Sequence, residues 1–281
     1  MHISRFTALV VLWVHCITIH SQLAYTVSGI YKGKSAQGFA ISHDRAFLFN
    51  DGGLCRSFDL KKGQVITDFH ISSASKNNHV NAVSFGRESV NGNTLPVIYI
   101  SENKKPYRCF VENITDSTSQ IVQTIEIRRN DVDSIVHDWV VDVRQKRIYS
   151  IRSGAIVNKQ TGLRRCRITA YRLPKLSEGK NVVLTENDAK GSFDVFFKNI
   201  LQGASINKRN LYLPVGLHKS ASKRQGGERA VIVVDLKKKR ISRTIDLTEV
   251  TEYEPEDMDF YRGKALLYTG QKGGIYKVKV K

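Results

Sequence analysis

The chain has 281 residues, 41% hydrophobic and 25% charged, with 44 Lys and Arg against 26 Asp and Glu, a formal charge of +18. That usage is ordinary for a folded globular protein and has no break that would mark a linker, so one domain is expected. The positive surplus is far beyond what solubility requires and points to a polyanionic partner.

The first residues read as a targeting segment. His2 and Arg5 precede the apolar run 6–14, and small residues suited to cleavage stand at Ser21 and Ala24. The expected boundaries are a signal peptide over 1–21, with cleavage as late as 24 as the other option, and a single domain over 25–281 in a secreted, extracellular protein. The apolar run is too short to span a bilayer and no later segment is long or apolar enough, so no transmembrane segment is expected. Val14 and His15 make a poor lipid-attachment context for Cys16.

A strand pattern then recurs five times. The first copy runs through 37–42, 45–49 and 55–64. The second takes 79–85, 96–101 and 107–111, with 120–125 as an outer strand. The third is 138–142, 147–151 and 167–171. The fourth opens with Gln202-Gly203, echoing Gln37-Gly38, and continues through 202–206, 211–215 and 230–235. The fifth holds 257–261, 265–268 and 274–278. It has three strands, and the β-patterned segment 25–31 can supply a fourth, closing the ring and satisfying otherwise unpaired edges. The fold class read from this is all-β, a five-bladed β-propeller closed by an N-terminal strand in the last blade; the competing arrangement is a β-sandwich. No helix is expected. Residues 144–147 and 177–188 read as loops, and 76–78 and 220–227 as mobile connections.

Loss of Cys16 with the signal leaves Cys55, Cys109 and Cys166, each on or near the third strand of a blade. Buried core cysteines are the default reading, with one bridge and one free thiol as the alternative. No Cys or Cys/His spacing suits a structural zinc ion. Asn113-Ile114-Thr115 has the form of a glycosylation acceptor.

Basic residues gather at Lys61-Lys62, Lys104-Lys105, Arg128-Arg129, 159–167, 219–229 and 237–240. Most fall in turns, where they serve as solvated or edge-protecting charges or as an anion site. Sequence-specific nucleic-acid recognition is not expected, since the chain is read as exported and shows neither a recognition helix nor a zinc finger. Anionic cell-wall polymers, sulfated glycans and phospholipid surfaces remain as partners, all with salt-dependent binding.

In a propeller the first strand of each blade lines the central channel, so the blade openings converge at one mouth. Gln37, His79, Asn81, Asp138, Gln202, Glu254 and Glu256 occupy those openings. Buried polar groups need partners, and amide, imidazole and carboxylate groups together suit a hydroxyl-rich ligand or a hard cation such as calcium.

Gln37-Gly38 opening one strand, His79-Val80-Asn81-Ala82 opening the next blade, and Glu254-Pro255-Glu256 followed by Phe260, Gly263 and Gly274-Ile275-Tyr276 resemble the secreted and phage receptor-binding propellers related to helveticin J and teichoic-acid-binding proteins. That family often has Gly where this chain has Asp257. The resemblance implies a five-bladed propeller that binds a cell-surface polymer or glycan at one face, and implies no reaction.

The function expected is therefore an exported, non-enzymatic, monomeric protein binding an anionic cell-surface polymer or glycan through the channel mouth. The alternative is a calcium-assisted hydrolase of nucleotides or glycans. In that case Glu254 and Glu256, on one side of a strand, and His79 are the catalytic candidates, with Asp138 or Asp142 as partner. Neither a Gly-x-Ser-x-Gly elbow nor a Walker-type phosphate loop is present.

Overall fold

In the computed structural model, which describes residues 22–27, 36–75, 78–90, 92–128, 134–221 and 228–280, the chain forms five small sheets. Strand β1 (Gln22–Tyr25) precedes a first blade of β2 (Ala36–Ser42), β3 (Arg45–Asn50), β4 (Leu54–Asp59) and β5 (Gln64–His70). The second blade is β6 (Val80–Phe85), β7 (Ile98–Glu102), β8 (Cys109–Ile114) and β9 (Ser119–Ile127). The third is β10 (Ser134–Asp142), β11 (Arg147–Val157) and β12 (Arg164–Arg172), completed, after the excursion to β13 (Asn181–Leu184), by β14 (Ala189–Phe197). The fourth is β15 (Ser205–Asn207), β16 (Asn210–Val215), β17 (Ala230–Asp235) and β18 (Arg240–Asp246). The fifth is β19 (Asp257–Tyr261), β20 (Lys264–Tyr268) and β21 (Ile275–Val278).

The first strands touch in a closed circuit, β2 to β6 to β10 to β15 to β19 and back to β2, which makes the five sheets a five-bladed β-propeller. Packing follows the same ring. Five apolar clusters each join two adjacent blades: first with second, second with third, third with fourth, fourth with fifth, and fifth with first. A middle strand is therefore covered on both faces. In β17, Val231 and Val233 pack toward the fifth blade, while Ala230, Ile232 and Val234 pack toward the third, and all six residues are buried. A sandwich would have one core between two sheets; here the core is divided among the blade interfaces.

Ring closure occurs as expected in kind, but earlier in the chain. Strand β1 pairs antiparallel with β21, Gln22 opposite Lys277, Leu23 opposite Tyr276 and Tyr25 opposite Ile275. The closing strand is Gln22–Tyr25, not 25–31, of which 28–31 lie outside the described residues. Tyr25 ends the strand because its side chain is anchored in the first blade. Its hydroxyl donates to the Leu60 carbonyl (2.9 Å) and its ring meets Phe58 edge-on. The later cleavage point considered above would remove three residues of this strand, and the signal segment 1–21 lies outside the described residues.

Three outer strands escaped the sequence reading: β5, β14 and β18. They alternate or stay exposed along their length, so no apolar run announces them. The segment 177–188, read as a loop, contains β13, which adds to β9 in parallel. Its approach is fixed by Gln123, whose amide donates to the carbonyls of Lys175 and Gly179 (both 2.9 Å). Among the described residues helix is limited to short turns such as Lys219–Ala221 and Gly270–Gly273. Of the connections read as mobile, 76–77 and 222–227 lie outside the described residues.

Candidate functional site: the channel mouth

Each inner strand enters at the mouth and leaves at the opposite face, and its outward N–H groups have no strand neighbour. Unpaired buried amides are costly, and side chains of other blades satisfy them. Asp257, fully buried, accepts from Phe39 (3.0 Å) and Val83 (3.2 Å) through Oδ2, and from Ala204 (3.1 Å) and its neighbour Met258 (2.9 Å) through Oδ1. One carboxyl thus clasps four blades. Asp259, two residues on and so on the same side of β19, accepts from Ile41 (2.7 Å). The Ser101 and Ser84 hydroxyls accept from Trp139 (2.9 Å) and Val141 (3.1 Å) in the same manner.

The paired Gln-Gly openings have a steric cause. A Cβ on Gly38 would lie 2.3 Å from Val83 Cγ2 and 2.9 Å from the Asn81 carbonyl oxygen. On Gly203 it would lie 2.5 Å from both the Glu256 carbonyl oxygen and Asp257 Oδ1. At both places the next inner strand approaches so closely that only glycine fits.

Around this clasp the structure gathers most of the residues expected at the mouth. Asn81, buried, donates to both oxygens of Asp138 (3.0 and 2.9 Å), which also accepts from the Ala82 amide (3.3 Å). Burial raises Asp138 to about 7 against the pull of these bonds and of the nearby His79 charge. His79, half-exposed, pairs through Nδ1 with Asp51. Glu256 is buried, its amide bonded to the Tyr268 carbonyl (3.0 Å) and its Oε2 without a hydrogen-bond partner. Burial, reinforced by the charges of Glu254, Asp257 and Asp51, pushes its carboxyl well above the usual range. Gln37 is 5% exposed with Oε1 likewise unpartnered. Glu254 is half-buried at the rim.

Gln202 is the exception. Its amide donates to the Gly216 carbonyl (2.7 Å) just past the end of β16, so it is tied within its own blade. Sequence reasoning missed Asp51 and the clasping role of Asp257. Asp51 sits on the β3–β4 turn and meets the mouth only through closure, whereas a carboxylate beginning the strand Asp257–Tyr261 was a signal in plain view.

Among the described residues no group of three or more His, Cys, Asp or Glu side chains is disposed to hold a metal ion, so the calcium considered above finds no such set there. Cys55, Cys109 and Cys166 are buried free thiols, raised by desolvation. Asn113 lies within β8, half-buried, with Oδ1 accepting from Asn93 (2.5 Å). The basic turns do not surround the mouth alone. By strand direction, Lys61-Lys62 and 237–240 lie on the opposite face, whereas Lys104-Lys105 and Lys159 lie on the mouth side.

No family model and no curated protein matches the sequence. By structure the chain is similar to the glutaminyl cyclase of Myxococcus xanthus, with a TM-score of 0.54 and 10% identity over 92% of this chain and 95% of that one. Raptor of Chaetomium thermophilum matches at a TM-score of 0.45 and 8% identity, over 94% of this chain and 21% of that one. The likeness to the cyclase is one of fold. The propeller implied by the resemblance to helveticin J relatives is thus present, while no family match ties the chain to those proteins.

Proposed function

We propose that the protein is an exported, non-enzymatic binding protein that takes a hydroxyl-rich glycan at the channel mouth. The observation that carries this reading is the pair of buried acceptors at the blade openings, Gln37 Oε1 and Glu256 Oε2, which lack hydrogen-bond partners. Unsatisfied acceptors in a largely desolvated site are matched by hydroxyl donors. Of the two ligand chemistries expected, the carboxyl groups of Asp51 and Glu254 favour a neutral glycan over an anion, which they would repel. Screening the protein on a glycan array, followed by titration calorimetry of a hit, tests this. Glu256→Gln and Gln37→Ala should each weaken binding by about tenfold, the cost of one lost buried hydrogen bond, with melting temperature unchanged within a few degrees. Absence of any neutral glycan ligand, or one indifferent to both substitutions, sinks the reading.

A second reading is favoured by the raised Glu256 carboxyl beside Glu254, a pairing that suits acid–base chemistry. Turnover of a glycoside, a nucleotide or a glutaminyl peptide, abolished by Glu256→Gln, would replace binding by catalysis.

A further inference from the structure

The hairpin turns at the face away from the mouth carry a concentration of cations that the mouth does not use. The β10–β11 turn holds Arg144 and Lys146, the β15–β16 turn Lys208, and the β17–β18 turn Lys237, Lys238 and Lys239, all exposed. These turns belong to adjacent blades, and Lys239 reaches from the fourth toward the third: its Nζ lies 4.0 Å from where a Cβ on Gly191 of β14 would stand.

The carboxylates beside these turns are held by turn amides or by arginines, Asp235 Oδ2 lying 3.6 Å from Arg209 Nε. Asp142 Oδ1 accepts from the Arg144 and Gln145 amides (both 3.0 Å), and Asp235 Oδ1 from those of Lys237 (3.0 Å) and Lys238 (2.9 Å). Asp44 holds the Tyr261 hydroxyl (2.8 Å) and Arg262 (2.9 Å). Among the described residues no ion pair to a carboxylate forms at Arg144, Lys146, Lys208, Lys237, Lys238 or Lys239.

Backbone geometry gives a second, independent observation. Lys146, Lys208 and Lys239 adopt φ of 52°, 58° and 55°, the left-handed region that favours glycine or asparagine. In the first blade Gly63, with φ of 69°, fills the position of Lys239, while His43 (φ 54°) and, in the fifth blade, Arg262 (φ 48°) fill that of Lys146 and Lys208. On the third and fourth blades a long cation stands where glycine would be unstrained, so the charge is placed against backbone preference.

We propose that this face, on the third and fourth blades, is a docking surface for a linear polysaccharide bearing repeated sulfate or phosphate esters. Lysines dominate, and they act as point charges for such esters rather than as planar forks. The three turns present no aromatic side chain on which a nucleobase could stack. They also offer little apolar surface for a membrane, with Val143 the one large apolar residue exposed beside them.

The test uses the full mature chain on immobilised dextran sulfate and on neutral dextran, across a salt series. Retention is expected on dextran sulfate alone, falling steeply with salt. The triple variant Lys146→Gln, Lys208→Gln, Lys238→Gln should weaken it by about tenfold or more and flatten the salt slope. Lys104→Gln, Lys105→Gln, Lys159→Gln removes the same charge from the mouth side and should leave retention near that of the parent. Equal loss in both triples would reduce the effect to net charge and overturn the proposal. So would preference for duplex DNA or for phosphatidylserine vesicles over dextran sulfate. The two faces are separate, so neutral glycan binding at the mouth can fail while this surface stands, and the reverse.

Discussion

Gly203 and Asp257 act on each other at the axis, and neither role is visible in the other's absence. Removing the glycine's bare Cα would drive a methyl against the Glu256 carbonyl oxygen, a backbone atom that cannot rotate aside, as well as against the clasp itself. Gly203→Ala should therefore destabilise the fold by about 1–3 kcal/mol, the usual cost of overpacking, measured by urea unfolding. Asp257→Asn should cost a similar amount by a different route. An amide nitrogen cannot accept the two N–H groups that one carboxyl oxygen now takes, and each orphaned donor is expensive in a dry site. If either variant unfolds at the parental urea midpoint, the clasp is dispensable and the inner strands are held by packing alone. The same reasoning shows why a Gly at position 257, common in the resembling family, could not serve here without another acceptor for Phe39, Val83 and Ala204.

At the scale of elements, the decisive contact is the pairing of β1 with β21, which completes the fifth sheet with a strand from the other end of the chain. A chain beginning at Tyr25 would keep the anchor on Leu60 but lose the register pairs at Gln22 and Leu23. Its melting temperature should fall by roughly 5 °C, corresponding to about 2 kcal/mol for a domain of this size, and amide exchange should quicken in Ile275–Val278. Unchanged exchange there would mean that the fifth blade is complete without its fourth strand. The middle strands were legible in the sequence because burial on two faces leaves an unbroken apolar run, as in Ala230–Asp235. The blade openings were legible too, because polar or small residues before such a run need an explanation, and Asn81 of the second blade does bond Asp138 of the third. Strands β5 and β18 were not, since a solvated outer strand resembles a polar loop. Nor was β13, whose parallel pairing to β9 joins segments more than fifty residues apart through the Gln123 amide, a relation without local periodicity.

Over the whole molecule, two populations of carboxyl groups pull stability in opposite directions with pH. At the face away from the mouth, Asp59 and Asp235 are held low chiefly by the turn amides of Lys62 and Lys238, and Glu178 lies at about 2 under Arg172. Their contribution is complete above the unfolded carboxyl range and is lost as pH falls below about 4. Along the axis, burial raises Asp138 and Asp259 to about 7, and Glu256 well above the ordinary range. A raised carboxyl holds a proton in the fold that the unfolded chain has released. It therefore favours folding most at or below the unfolded value, and that advantage disappears as pH rises through about 7. The melting temperature should peak between about pH 4.5 and 6 and decline on both sides, with Asp138 alone accounting for at most about 4 kcal/mol of the alkaline limb. Asp138→Asn mimics the protonated acid and keeps an oxygen for Asn81 and Ala82, so it should flatten that limb while leaving the acid limb in place. A parental melting temperature that rises or stays level from pH 6 to 8.5 would mean that the axial carboxyls are ionised in the fold, their amide donors outweighing desolvation, and the mouth would then carry full negative charge at neutral pH.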